Sequence, residues 1–201
     1  MFEPIAGMDG VYSATRGKLR CVAIRLQSGG WCLFSPVAGL EQEAQALGKI
    51  TYILAPNQYH NKGIAGHHAV LPEAALIAPQ ACCDRLAKVT GARFTAFEEV
   101  VLDLPDGVRI LAPEGLKTGE VWIVADDGLI VVDAFAGQAK ESDAPQLLKT
   151  FPRYGVADQP IYAAWVARVM AEEKPTVLVP CHGGIVRNAA LPELLAGLAS
   201  A

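Results

Sequence analysis

Ile50-Thr51-Tyr52-Ile53-Leu54, running into Ala55-Pro56-Asn57-Gln58-Tyr59-His60, is the stretch on which the reading of this sequence turns. A short β-branched apolar run closed by Pro and Asn reads as a buried strand that empties into a polar loop. Two further runs have the same form. Residues 129–132 (LIVV) run into Asp133, and 176–179 (TVLV) run into Pro180-Cys181-His182-Gly183-Gly184. In layered α/β folds, ligands sit at such strand ends, where loops meet over a rigid sheet. Two imidazoles and a carboxylate are the side chains of a hydrolytic metal site. His60, Asp133 and His182 are therefore the candidate set.

Composition narrows the classes. The 201 residues suit one domain spanning 1–201, a length that buries an ordinary core without staples. Apolar residues make up 52%, which rules against disorder. A net charge of −4, with the 17 Lys and Arg scattered, gives no basic footprint, so no nucleic-acid partner is expected. No apolar run approaches the ~20 residues of a membrane span. Met1-Phe2-Glu3-Pro4 has neither the basic start nor the apolar core of a signal peptide, so a cytoplasmic protein with a small-molecule ligand or substrate is expected.

Five cysteines, an odd number, argue against a disulfide scaffold. Cys21 and Cys32 fall in strand-like runs and read as core. Cys82-Cys83 lies in a helical stretch with no C-x-x-C spacing. Cys181 stands out only as the neighbour of His182, because a reactive thiol needs an exposed, electropositive setting.

The order of elements follows from periodicity and turn residues. Residues 21–26 and 31–35 flank Gln27-Ser28-Gly29-Gly30, a hairpin signal. Helical character over 39–47 precedes the strand 50–54; helix is expected over 61–71, strand over 75–78 and helix over 81–89. Strand-like pieces occupy 94–113. Residues 121–125 and 129–132 form a second hairpin around Asp126-Asp127-Gly128. A short helix is expected near 145–149, then a helix over 161–172, the strand 176–179 and a helix over 190–198. Each half thus carries a hairpin, a helix and an apolar strand that leads through Pro to His. Two mixed sheets packed face to face, with helices outside, accommodate that echo.

At these residues the sequence resembles the metallo-β-lactamase-like superfamily, over approximately Tyr12 to Asn188. The resemblance implies an αββα sandwich with a metal site at one sheet edge. That family carries an H-x-H-x-D-H motif after an early strand, a His in a loop before the second hairpin, a bridging Asp at the hairpin's end, and a last His after the final strand. Here the first motif reads Ala55-Pro56-Asn57-Gln58-Tyr59-His60, and only His60 matches. Gly63 and Leu71-Pro72 also fall where the family has them. Leu116, in Gly115-Leu116-Lys117-Thr118-Gly119, replaces a ligand, while Asp133 matches the bridging Asp and His182 the final His. The positions that hold the first ion in the family are Ala55, Asn57 and Leu116 here. Those that hold the second are Tyr59, His60, Asp133 and His182, of which three keep a ligand. The chain resembles a branch in which P-N-x-x-H stands in for the first motif.

Two functions follow as expectations. In one, His60, Asp133 and His182 hold a single Zn²⁺, Mn²⁺ or Fe²⁺ and the protein hydrolyses an ester- or amide-type bond by water attack. In the other, the fold persists as a metal-free binding or scaffold protein, and the three side chains hydrogen-bond one another and the backbone. Ala55 and Leu116, apolar where ligands belong, favour the second. Asn57 is read as a weak fourth ligand, a substrate contact or an orienting group. Tyr59 either donates a hydrogen bond to a substrate oxygen or packs under the loop. His67 and His68 fall about two helical turns, roughly 10–12 Å, beyond His60 and read as surface or core-edge residues. Lys62, Lys117 and Arg187 either favour an anionic ligand or are solvated charges.

Overall fold

Parallel strands need a crossover between them, and the spacing of apolar runs in this chain supplies one each time. The computed structural model describes residues 1–201, which divide into two compact units, Met1–Asp106 and Gly107–Ala201. In the first unit, β1 (Glu3–Pro4), β2 (Val11–Arg16), β3 (Leu19–Arg25) and β4 (Trp31–Phe34) form an antiparallel meander. From β4 onward the sheet turns parallel: α1 (Glu41–Ala46) leads to β5 (Ile50–Leu54), α2 (Ile64–Val70) to β6 (Ala75–Ala78), and α3 (Gln80–Thr90) to β7 (Thr95–Ala96). The seven strands lie in chain order. One apolar cluster joins Cys21, Ala23, Leu33 and Ile53 of the sheet to Ala44, Ile64, Cys82 and Leu86 of the helices.

The second unit is built on β8 (Arg109–Leu111), β9 (Trp122–Ala125), β10 (Gly128–Val131), β11 (Val177–Pro180) and β12 (Val186–Arg187), in the order β12-β11-β10-β9-β8. The crossover from β10 to its parallel neighbour β11 carries α4 (Phe151–Gly155) and α5 (Gln159–Glu173), and α6 (Leu191–Ala199) closes the chain. Asp158 caps α5 by accepting the N–H of Ile161 at 3.0 Å. Tyr162, Trp165, Val166, Val169 and Met170 then recur at helical spacing and are buried, against a cluster that includes Trp122, Leu129 and Val131. Trp122 and Trp165 meet edge to face, centroids 5.2 Å apart.

Most expected elements appear, with local differences. The second hairpin pairs Gly128 with Ala125, so its turn is Asp126-Asp127, with Asp126 at φ 49°, and the glycine belongs to the strand. No helix forms over 145–149; Gln146 instead exchanges backbone hydrogen bonds with Ala136, and the helical turn begins after Thr150. Pro152 is tolerated in that first turn, where its missing N–H leaves no bond unmade. Helix α2 starts at Ile64, not at 61, because Asn61 and Gly63 are spent on the loop that precedes it. No helix is long and apolar enough to cross a membrane.

Candidate metal centre

The loop after β5 is shaped by an amide. Phe34 of β4 pairs with Leu54 of β5 in parallel, so Ser35 and Ala55 leave the sheet at the same edge. Asn57 is fully buried, and its Oδ1 accepts the backbone N–H of Tyr59 at 2.8 Å and of His60 at 2.9 Å. That Asx turn folds the chain back toward the sheet edge. His60 Nδ1 then lies 2.8 Å from Ser35 Oγ. Ser35 is 1% exposed and holds φ at 56°, a left-handed conformation rare outside glycine. A hydroxyl closing an apolar strand just before Pro36 is its only trace in the sequence.

The neighbouring side chains fall differently from their sequence readings. Tyr59 does not pack under the loop: it is 41% exposed, with the Arg85 guanidinium 5.3 Å above its ring. Cys82 anchors the loop from α3 through the Gln58 backbone, and burial pushes its thiol up to about 12. His67 lies in the core, fully buried, with Nδ1 2.9 Å from the Gly63 carbonyl oxygen.

In the second unit, the residues that follow β10 and β11 carry Asp133 and His182. Val131 pairs with Pro180, and the Cys181 N–H donates to Val131 O at 2.9 Å, so the residues after β10 and β11 emerge together. His182 Nε2 is 3.0 Å from Asp133 Oδ1. The His182 loop is held by the segment after β10: Gly137 N–H donates to His182 O at 3.0 Å and Gly184 N–H to Gln138 O at 2.6 Å. These backbones touch, and a Cβ on Gly137 would sit 1.8 Å from Gly184 O. Cys181 is fully buried and lacks the exposure a reactive thiol needs. Lys117 donates to the Arg153 carbonyl at 3.0 Å, and Arg187 Nε to Glu141 Oε1 at 2.7 Å.

Beneath Asp133 lies a carboxyl group that the sequence reading passes over. Glu120 is buried and accepts from Trp122 Nε1 at 2.8 Å and from the backbone N–H groups of Asp133 at 3.0 Å and of Val132 and Ala134 at 3.3 Å. Burial, and then the charge of Asp133, push its carboxyl up to about 7. Its surroundings come from backbone groups 12 to 14 positions downstream, which no local motif announces.

His60, Asp133 and His182 each offer one ligand atom, and these atoms all lie within 4.8 Å of one another. Donors at ~2.0–2.2 Å from an ion stand within roughly 4 Å of each other, a spacing close to the one seen here. Two imidazoles and a carboxylate fit one Zn²⁺, Mn²⁺ or Fe²⁺. The three positions read from the sequence as replaced ligands offer little to an ion. Ala55 has no donor, Leu116 packs against the apolar cluster of its unit, and Asn57 Oδ1 already accepts two backbone N–H groups.

No family model matches the sequence, and no curated protein does. Solved structures do. The DIM-1 metallo-beta-lactamase matches with a TM-score of 0.70 and 12% identity, over 99% of this chain and 96% of that one. A metallo-beta-lactamase from Pontibacter korlensis matches with a TM-score of 0.70 and 12% identity, over 99% and 98%. The metal-soaked Flv1 flavodiiron core from Synechocystis sp. PCC6803 matches with a TM-score of 0.64 and 14% identity, over 98% of this chain and 59% of that one. Identities this low carry architecture and not chemistry. With two mixed sheets, their helices and these likenesses in hand, the chain has the metallo-β-lactamase-like fold.

Proposed function

We propose that the protein is a metal-dependent hydrolase that holds one divalent ion with His60, Asp133 and His182. The observation that carries this reading is the spacing of their three donor atoms, all within 4.8 Å of one another. The reaction class is hydrolysis of an ester- or amide-type bond, because two imidazoles and a carboxylate leave an ion an open position for water. An ion at these residues supplies Lewis acidity toward a carbonyl oxygen and acidifies water near neutral pH. The protein's own part is positional. Asp133 is held by its backbone N–H to Glu120, and its Oδ1 lies 3.0 Å from His182 Nε2. Asn57 fixes the backbone of His60. Tyr59, exposed and beside Arg85, is the proposed contact for a substrate oxygen.

The test is elemental analysis of protein purified without chelator, beside an Asp133→Ala variant and a screen of esters, thioesters, lactams and phosphodiesters. Wild type should retain one ion per chain and turn over a member of the screen. Asp133→Ala should lose both, because two imidazoles alone make a weak and poorly oriented site. Wild type that keeps no ion after dialysis and turns over nothing would establish the metal-free binding protein instead.

A further inference from the structure

The Ser35–His60 hydrogen bond carries a consequence for which ring nitrogen binds. We propose that Ser35 is a positioning residue that fixes the tautomer and rotation of His60, with Nδ1–H donating to Ser35 Oγ and Nε2 presented as the ligand atom. This rests on the metal-site reading above. Three observations support it. The Oγ–Nδ1 separation is 2.8 Å, a full hydrogen bond. The Ser35 N–H is committed to Leu54 O at 3.2 Å, so the residue is tied to the end of β5 from which the His60 loop departs. Ser35 also holds φ at 56°, a conformation that costs free energy for any residue with a Cβ and collects at functional sites.

A nucleophilic role for the same hydroxyl does not suit the geometry. Ser35 is 1% exposed, and an attacking oxygen has to reach a substrate carbon. A ligand imidazole, by contrast, characteristically gives its other N–H to an acceptor that sets its orientation, and a buried hydroxyl beside Nδ1 is such an acceptor. Gly63 holds the arrangement from behind. A Cβ there would lie 2.3 Å from Pro36 O and 2.8 Å from the Ala38 nitrogen, so the segment after Ser35 and the segment after His60 touch backbone to backbone.

The test compares wild type, Ser35→Ala and Ser35→Gly. Zinc affinity is measured by competition with a chromophoric chelator, and the His60 ring nitrogens are observed by ¹⁵N NMR in metal-free protein. Both variants lack the hydroxyl, so both should bind zinc about 10- to 100-fold more weakly. Their thermal midpoints should nonetheless part, Ser35→Gly above Ser35→Ala, because glycine is at ease at positive φ. A merely structural residue would make affinity follow stability, and zinc binding of Ser35→Gly at the wild-type level would overturn the proposal. Metal-free wild type should show the proton on Nδ1, and Ser35→Ala a mixture of tautomers. A wild-type proton on Nε2 would overturn the proposal too. If wild type retains no zinc, the metal-site reading falls by itself, and the tautomer measurement still decides whether Ser35 sets the ring.

Discussion

Glu120 shows how one buried carboxyl can set a pH dependence. Its folded-state value, raised to about 7, lies above that of an unfolded glutamate, so the native chain keeps a proton that the unfolded chain has released. Stability in metal-free protein should therefore fall as pH rises from about 4.5 to about 7, by at most ~1.4 kcal/mol per pH unit for this one proton. Glu120→Gln removes the proton exchange, and the difference between its urea-denaturation profile and that of wild type should carry this slope. A difference flat across that window would mean that Glu120 does not hold its proton in the fold. Asn57 offers a simpler case. Asn57→Ala leaves the N–H groups of Tyr59 and His60 without their acceptor, and should cost about 1–3 kcal/mol by equilibrium denaturation.

At the scale of elements, the loops that carry the histidines are fixed by backbone approach. Gly63→Ala puts a methyl 2.3 Å from Pro36 O, a backbone atom that cannot swing aside. It should lower stability by about 1–3 kcal/mol, as other overpacked sites do, and weaken zinc binding by shifting Ser35 away from His60. Gly197→Ala is the control: it lies in α6 with nothing within 4 Å of the added methyl, and should leave both quantities unchanged or raise stability slightly. Equal thermal midpoints for the two variants would show that close approach at Gly63 is not what holds the loop. The elements themselves were largely legible from the sequence. Ile50–Leu54 and 129–132 are apolar, β-branched and bounded by turn residues, so a strand was the only economical reading. The helix expected over 145–149 was not formed, because Gln146 pairs with Ala136, a partner ten positions away that local propensity does not weigh.

At the scale of the whole molecule, the prediction is one ion and no more. His60 and His182 are 122 positions apart in the chain, so an ion shared by them binds the native state alone. Zinc at 100 times its Kd should then stabilise the protein by about 2.7 kcal/mol, seen as a rise in thermal midpoint that Asp133→Ala lacks. Reconstitution in excess zinc should stop at one tightly bound ion per chain, since Ala55, Leu116 and the engaged Asn57 supply no second set of donors. Two tightly bound ions would refute that assignment.

The sequence by itself determined the strands at 21–26, 31–35, 50–54, 75–78, 121–125, 129–132 and 176–179 and the polar residues at their ends, because apolar runs and turn chemistry are local properties. The strands Glu3–Pro4, Val11–Arg16 and Val186–Arg187 were not read from it. It also offered His60, Asp133 and His182 as candidates, since ligand-type side chains at the ends of apolar strands are few. Ser35 and Glu120 needed the tertiary structure. Each owes its character to groups distant in sequence: Ser35 to a ring 25 positions on, and Glu120 to the backbone of Val132, Asp133 and Ala134. Parallel pairing of β4 with β5 sets Ser35 beside the loop that carries His60, and antiparallel pairing of β9 with β10 sets Glu120 beside residues 132–134. Only once that pairing exists does a strand-ending serine gain an imidazole to hold, or a glutamate the burial that raises its pKa.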